Sequence, residues 1–282
     1  MCYNIRYRLE VIMAFYYSCY QEELRNILHE YKKEHLSIMP TTLIDQGEDT
    51  LFSSQLLRDI SKVFPPESYL SKSWLLHQKF MRKLTPSENK FIYRAISFFD
   101  KNEEKYKQVQ QNPTFENIRT FGLANCGELA DACVLEQNKE NPIVPALKEV
   151  SFLRASIQLH IPTDKLVTKG IISADNQMPK KIPLDHVFLI CEQGADKSTS
   201  EMIKNFKSPT CEAEALDLWQ RRSGKAHQLI INYMKSAGVS MAQLRLLNPK
   251  TDEKRYFNLT CDKGKLLIIP RDNIKALSNE GK

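Results

Sequence analysis

The 282-residue chain lacks several features that would have placed it at once. No apolar run reaches the roughly 20 residues that a bilayer-spanning helix needs. The nearest candidate, Val11 to Tyr20, is flanked by Arg6, Arg8 and Glu10 and has no small-residue cleavage site. It runs straight into the amphipathic pattern of Glu22 to Leu36, so it reads as helix, with no membrane span expected. The seven cysteines, Cys2, Cys19, Cys126, Cys133, Cys191, Cys211 and Cys261, are odd in number and show no paired metal-ligand spacing. That excludes a legible disulfide framework or metal site and points to reduced thiols in a protein of cytosolic type, with no metal or cofactor. A basic arm is missing too: the net charge of +6 arises from 40 Lys and Arg mixed with 34 Asp and Glu. Nucleic acid is therefore not an expected partner. No internal repeat or low-complexity tract is present.

What remains is a globular composition long enough for one large domain or two small ones. Its first part reads as helical. Leu24, Ile27, Leu28, Tyr31 and Leu36 recur at helical spacing after Phe15; Leu51, Leu56, Leu57, Ile60 and Val63 make a short helix closed by Phe64-Pro65-Pro66. Leu70, Trp74, Leu75, Phe80 and Met81 share one side of Tyr69 to Leu84. Thr85-Pro86-Ser87-Glu88 combines a cap, a proline for the first turn and an acid at the positive end, and starts a long helix through Phe99. Because no periodicity is clear before Met13, that residue is as good a start as Met1. Asn112-Pro113-Thr114 marks a junction, which divides the chain into a helical region over 1–112 and an α+β unit over 113–282.

Past Asn138 the branched and aromatic content rises. Val150 to Ile161, Leu166 to Ser173, Ile182 to Cys191 and Glu214 to Trp219 read as strands, and the near-continuous apolar run Ile182 to Cys191 as a central one. Glu192 to Thr210 reads as a polar loop, Ser223 to Met234 and Met241 to Leu247 as helix, and Lys265 to Pro270 as a last strand.

Chemistry gathers at Asn125-Cys126-Gly127-Glu128. An asparagine followed three residues later by a glutamate predicts a helix N-cap and its reciprocal partner, with Leu129, Ala130, Cys133 and Val134 forming the apolar face behind. Cys126 is then the first helical residue. Free amides and the positive end of the helix dipole favour a thiolate there, and Gly127 leaves room for a substrate carbonyl. Such a thiol needs a base. His186 lies inside the strongest strand, among Leu184, Val187, Phe188 and Leu189, where an unpartnered imidazole would cost about 1–3 kcal/mol. Asp217 repeats the situation in the next strand, just before Trp219. One arrangement answers both needs: Asp217 orients His186, and His186 takes the proton of Cys126. Cys133 reads as core, and His160 and His227 as surface or otherwise satisfied.

The order cysteine at a helix start, histidine on a strand, aspartate on the next strand resembles the papain-like and transglutaminase-like thiol-enzyme superfamily. Asn125-Cys-Gly-Glu-Leu-Ala130, Asp185-His-Val-Phe188 and Leu216-Asp-Leu-Trp219 look like stretches of bacterial virulence effectors in that superfamily, among them host-protein proteases, glutamine deamidases and transglutaminases. The resemblance covers Phe121 to Gln220. It implies a core in which the cysteine helix packs on an antiparallel sheet, with Cys126 as nucleophile, His186 as general base and Asp217 as orienting acid. Asn125, Gly127, Glu128 and Trp219 become oxyanion or supporting residues, Asn125 as a second oxyanion donor competing with its role as cap. It further implies amide cleavage on a protein substrate, a host protein if the chain is secreted. Where that group often has Asp-Pro-Trp this chain has Leu218 in the middle, and Glu192 to Thr210 exceeds a usual hairpin, so Asp196 and Asp185 stand as alternatives to Asp217. A small-molecule acyltransferase with the same triad, like the arylamine acetyltransferases, and an interaction module with an inactive triad are the competing readings.

Overall fold

A computed structural model describes residues 19–30, 52–65, 68–81, 84–168 and 179–271. Helices dominate the first half: α1 over residues 19–30, α2 (Phe52–Val63), α3 (Lys72–Met81), α4 (Pro86–Lys101), α5 (Glu103–Gln111) and α6 (Phe115–Phe121). Local chemistry sets their ends. Thr85 caps α4 by accepting the Glu88 amide at 3.3 Å, and the Glu88 carboxylate accepts the Thr85 amide at 2.7 Å. Thr114 caps α6, which stops on Gly122 in the left-handed conformation (φ 62°) that a residue with a Cβ adopts at a cost.

The helix α7 (Cys126–Gln137) follows, and then a seven-stranded antiparallel sheet. Its strands are β1 (Val150–Pro162), β2 (Lys181–Gln193), β3 (Glu214–Asp217), β4 (Arg222–Lys225), β5 (Met241–Leu247), β6 (Lys254–Asp262) and β7 (Lys265–Pro270), in the order β4-β3-β2-β1-β5-β6-β7. The remaining helices are α8 (Thr163–Thr168), α9 (Thr199–Lys207) and α10 (Ala226–Ala237). The molecule is a mixed α+β protein. Among the described residues no helix is long and apolar enough to cross a membrane.

Alternation along the strands divides the core in two. Leu153, Ala155 and Ile157 of β1 and Phe188 and Ile190 of β2 face α9 and α10, and this layer continues through Leu244, Leu246 and Phe257. Phe152, Leu189, Cys191 and Leu216 face the other way, into a cluster with Leu129 and Cys133 of α7 and with Leu56, Leu57 and Ile60 of α2. That second cluster is continuous from α1 to Trp219, so residues on both sides of the Asn112–Thr114 junction share one core. The edge strand β4 is not bare, because α2 packs on β3 and β4: the Ser53 amide donates to the Glu214 carboxylate at 2.6 Å, and the Ser54 and Ser223 hydroxyls lie 2.9 Å apart.

Several expectations are overturned. Met241 to Leu247 is the strand β5 and not a helix; its even residues Ala242, Leu244 and Leu246 are buried while their neighbours are more exposed, a period of two. In Leu166 to Ser173 the described part belongs to the helix α8, since Pro162 closes β1 and Asp164 stands in a first turn where free amides favour an acid; residues 169–173 lie outside the described residues. The stretch Ser223 to Met234 begins as β4 and turns helical only at Ala226. Glu192 to Thr210 holds the helix α9, whose cap Ser198 accepts the Glu201 amide at 3.2 Å. Lys265 to Pro270 pairs with β6, a strand the sequence pattern did not reveal. Of Val11 to Tyr20 only Cys19 and Tyr20 are described, both helical, and Met13 lies outside the described residues.

Candidate active site

Asn125 to Glu128 fold as their sequence demands. Asn125 is the N-cap of α7 and Cys126 its first residue; a capping box forms, the Glu128 carboxylate accepting the Asn125 amide at 2.9 Å. The Asn125 side chain makes its shortest bonds elsewhere. Its Oδ1 accepts from the Ser73 hydroxyl at 2.8 Å, the Ser73 amide at 2.9 Å and the Ser71 hydroxyl at 3.0 Å, and its Nδ2 donates to the Tyr106 hydroxyl at 2.7 Å. Asn125 thus anchors the α7 mouth to the start of α3 and to α5. Just before it, the Leu70 amide donates to the Gly122 carbonyl at 2.7 Å, and the Ala124 amide to the Leu70 carbonyl at 2.9 Å, a short parallel bridge. The backbone leading into Cys126 is held on both sides. Cys126, Gly127 and Glu128 are partly exposed, whereas Cys133 behind them is fully buried and its thiol is pushed up by that burial.

His186 stands on β2 where the strand has run past its neighbour: β3 pairs with β2 only over Leu189–Cys191. Asp217, the last residue of β3, closes on it, Oδ2 lying 2.7 Å from His186 Nε2. The pair is sealed, His186 4% exposed and Asp217 0%. Asp217 collects further donors: the Tyr233 hydroxyl from α10 at 2.5 Å on Oδ2, and the Trp219 and Gln220 amides at 3.0 Å on Oδ1. Around the imidazole stand Trp219, centroids 4.8 Å apart, and Tyr233, edge-on at 5.1 Å. The Trp219 Nε1 donates to the Ser71 hydroxyl at 2.7 Å, and that hydroxyl in turn reaches Asn125. One serine joins the acid's turn to the thiol's cap.

Electrostatics of the pair follow from its partners. Burial resists ionisation of both groups, and the mutual charge and hydrogen bond overcome it: Asp217 is held below the usual carboxylate range, and the His186 ring rises to about 10. Burial and the Asp217 charge push the Tyr233 hydroxyl well up, so it remains a donor. Nε2 is taken by Asp217, and the other ring nitrogen, Nδ1, is buried with no hydrogen-bond partner among the described residues. The nearby Cys126 side chain adds to the ring's affinity for a proton.

Imidazole and carboxylate therefore come together from β2 and β3, with the thiol of α7 near enough to bear on the ring's charge. The alternatives to Asp217 do not: Asp185 is exposed and points to the opposite side of β2 from His186, and Asp196 is exposed and pairs with Lys250 at 2.6 Å. His160 is exposed, and His227 bonds the Phe206 carbonyl at 2.6 Å. Among the described residues no group of three His, Cys, Asp or Glu side chains is placed to hold a metal. Sequence reasoning missed Tyr233, Ser71, Ser73 and Tyr106, which carry no pattern of their own. It also passed over Arg154, although a charge inside the apolar run Phe152-Leu153-Arg154-Ala155 gives the same signal as His186.

The arrangement defines the class: an α+β protein with a partly exposed thiol at a helix mouth, backed by a buried imidazole–carboxylate pair. Comparison of the chain with family models, with curated proteins and with solved structures gives no match.

Proposed function

We propose that the protein is a cysteine-dependent enzyme that cleaves an amide of a protein substrate, built on a papain-like or transglutaminase-like core. The observation that carries this reading is the buried His186–Asp217 bond of 2.7 Å, and the influence of the nearby Cys126 side chain on the ring's proton supports it. An imidazole so held keeps a proton drawn from the thiol, leaving a thiolate beside an imidazolium. The thiolate attacks the amide carbonyl carbon, and the oxygen takes the negative charge. Near it are the amides of Cys126 and Gly127, which as first-turn amides have no acceptor within the helix. Collapse of this intermediate breaks the carbon–nitrogen bond; the imidazolium gives its proton to the departing amine or ammonia, and a thioester remains. Water, or a second amine, attacks the thioester and restores the thiol. Asn125, Glu128 and Trp219 serve this chemistry as supports, since Asn125 Oδ1 and Nδ2 are both engaged in anchoring the helix mouth.

Backbone protease, side-chain deamidase and transglutaminase share the thioester, and secretion to a host target extends the same resemblance. The test is alkylation by iodoacetamide near neutral pH, read cysteine by cysteine by mass spectrometry. Cys126 is expected to react ahead of the exposed Cys19 and the half-buried Cys211 and Cys261, and to lose that lead in His186→Gln. Equal labelling of all four, unchanged in the variant, would refute an activated thiol. With a substrate in hand, a fragment, an amide converted to an acid, or a crosslink separates the three chemistries.

A further inference from the structure

The α7 side of the sheet is covered only in part. Across β1, β5 and β6, and just past the end of β7, Ser156, Arg245, Tyr256 and Arg271 stand in one row, by the pairings Ser156–Arg245 and Arg245–Tyr256 and the bond from the Arg271 amide to the Tyr256 carbonyl. Val187, which packs with Cys126 against the α7 core, lies on the other side of Ser156 in this row. Tyr256 is 46% exposed, and Ser156, Arg245 and Arg271 are partly exposed. The row leads away from the thiol.

At its near end two guanidinium groups converge. Arg154, two residues before Ser156 on β1, donates to the Ser156 hydroxyl from Nη1 at 3.2 Å, and Arg245 donates to the same oxygen from Nη2 at 3.4 Å. Two like charges on one hydroxyl oppose each other unless an anion joins them. Asp131 of α7 balances only Arg154, accepting from Nε at 2.7 Å and from Nη2 at 3.4 Å; Arg245 has no carboxylate partner among the described residues. Ser156 accepts both bonds and keeps its own proton to donate. The cluster also borders the site: a Cβ built on Gly127 would stand 3.2 Å from Arg154 Nη2, so the absent side chain leaves the guanidinium at the mouth of the thiol helix.

We infer that Arg154, Ser156 and Arg245 form a subsite for a substrate carboxylate, an acidic side chain flanking the attacked amide. This deepens the thiol-enzyme reading and rests on it. Free N–H groups of the two arginines and the serine O–H supply donors to a planar anion, a charge-assisted set that a neutral side chain cannot use fully. Arg154 and Arg245 are here specificity residues; neither takes part in bond making.

The experiment compares alkylation of Cys126 in the full chain by iodoacetate and by iodoacetamide, which differ in a carboxylate against a neutral amide. The ratio of the two rates is the readout, and dividing by the amide rate removes general changes in thiol reactivity. Arg154→Gln and Arg245→Gln are each expected to lower the ratio about tenfold, and Ser156→Ala by a smaller factor. Because Arg154 also holds Asp131, Arg245→Gln is the variant that keeps the test valid if Arg154→Gln folds poorly. A ratio within about twofold of the wild type in a folded Arg245→Gln would overturn the subsite. Loss of the iodoacetamide lead in His186→Gln, measured alongside, reports separately on the thiol reading, which stands if it is lost and the ratio is flat.

Discussion

At the scale of single residues, the buried pair makes opposite demands on pH. The His186 value is raised from 6.5 to about 10, so the stability it contributes is full below about 6.5 and is lost as pH rises toward 10. Asp217 is lowered from 3.8, so its contribution is full above that value and is lost as pH falls below it. The pair contributes most between these limits. The urea midpoint of the wild type relative to Asp217→Asn is therefore expected to narrow from pH 6.5 to pH 10, measured by circular dichroism. In the same assay at pH 6, Asp217→Ala should cost about 3–5 kcal/mol, because it strands the ring and three further donors, whereas Cys126→Ala at the partly exposed helix mouth should cost less than about 1 kcal/mol. A Cys126→Ala protein that does not fold would mark the thiol as a packing residue. These residues were legible in the sequence for a simple reason: a histidine or an aspartate in an apolar strand needs a partner, and the two nearest needs matched. Tyr233 was not legible, because a tyrosine on an amphipathic helix looks like any other core aromatic until its hydroxyl is seen on Asp217.

At the scale of elements, caps were read correctly and periods less so. Thr85 and Asn125 announced their helices because capping needs only neighbours in sequence. β5 was misread because the apolar run Met241 to Leu247 is too short for periodicity to separate helix from strand; its pairing with β1 and β6 decides. The junction between α6 and α7 offers a test of how tightly elements hold the thiol. Gly122 has φ 62°, and a Cβ there would fall 2.5 Å from Leu24 Cδ2. Gly122→Ala is expected to destabilise by about 1–3 kcal/mol in urea denaturation and to slow Cys126 alkylation, since the Gly122 carbonyl is part of the bridge to Leu70. Unchanged stability would mean that α1 yields freely.

At the scale of the whole molecule, the sequence suggested a helical region and a catalytic unit, and the junction at Asn112–Thr114 is real as a turn. What sequence could not display is that Leu56, Leu57 and Ile60 share a core with Leu189, Leu216 and Trp219, because contacts between distant segments leave no periodic trace. A chain beginning at residue 113 would expose that apolar face of α7 and the sheet and would leave Asn125 without Ser71, Ser73 and Tyr106. It is expected to lack a cooperative thermal transition in calorimetry, where the intact chain gives one.

Chain order adds a consequence in time. Cys126 leaves the ribosome well before His186, and Asp217 before the Tyr233 hydroxyl that completes its shell. A nascent chain thus carries Cys126 beside an incomplete pair until α10 has been made. The bond from Tyr233 to Asp217 closes last, after the strands that carry the pair have already been made.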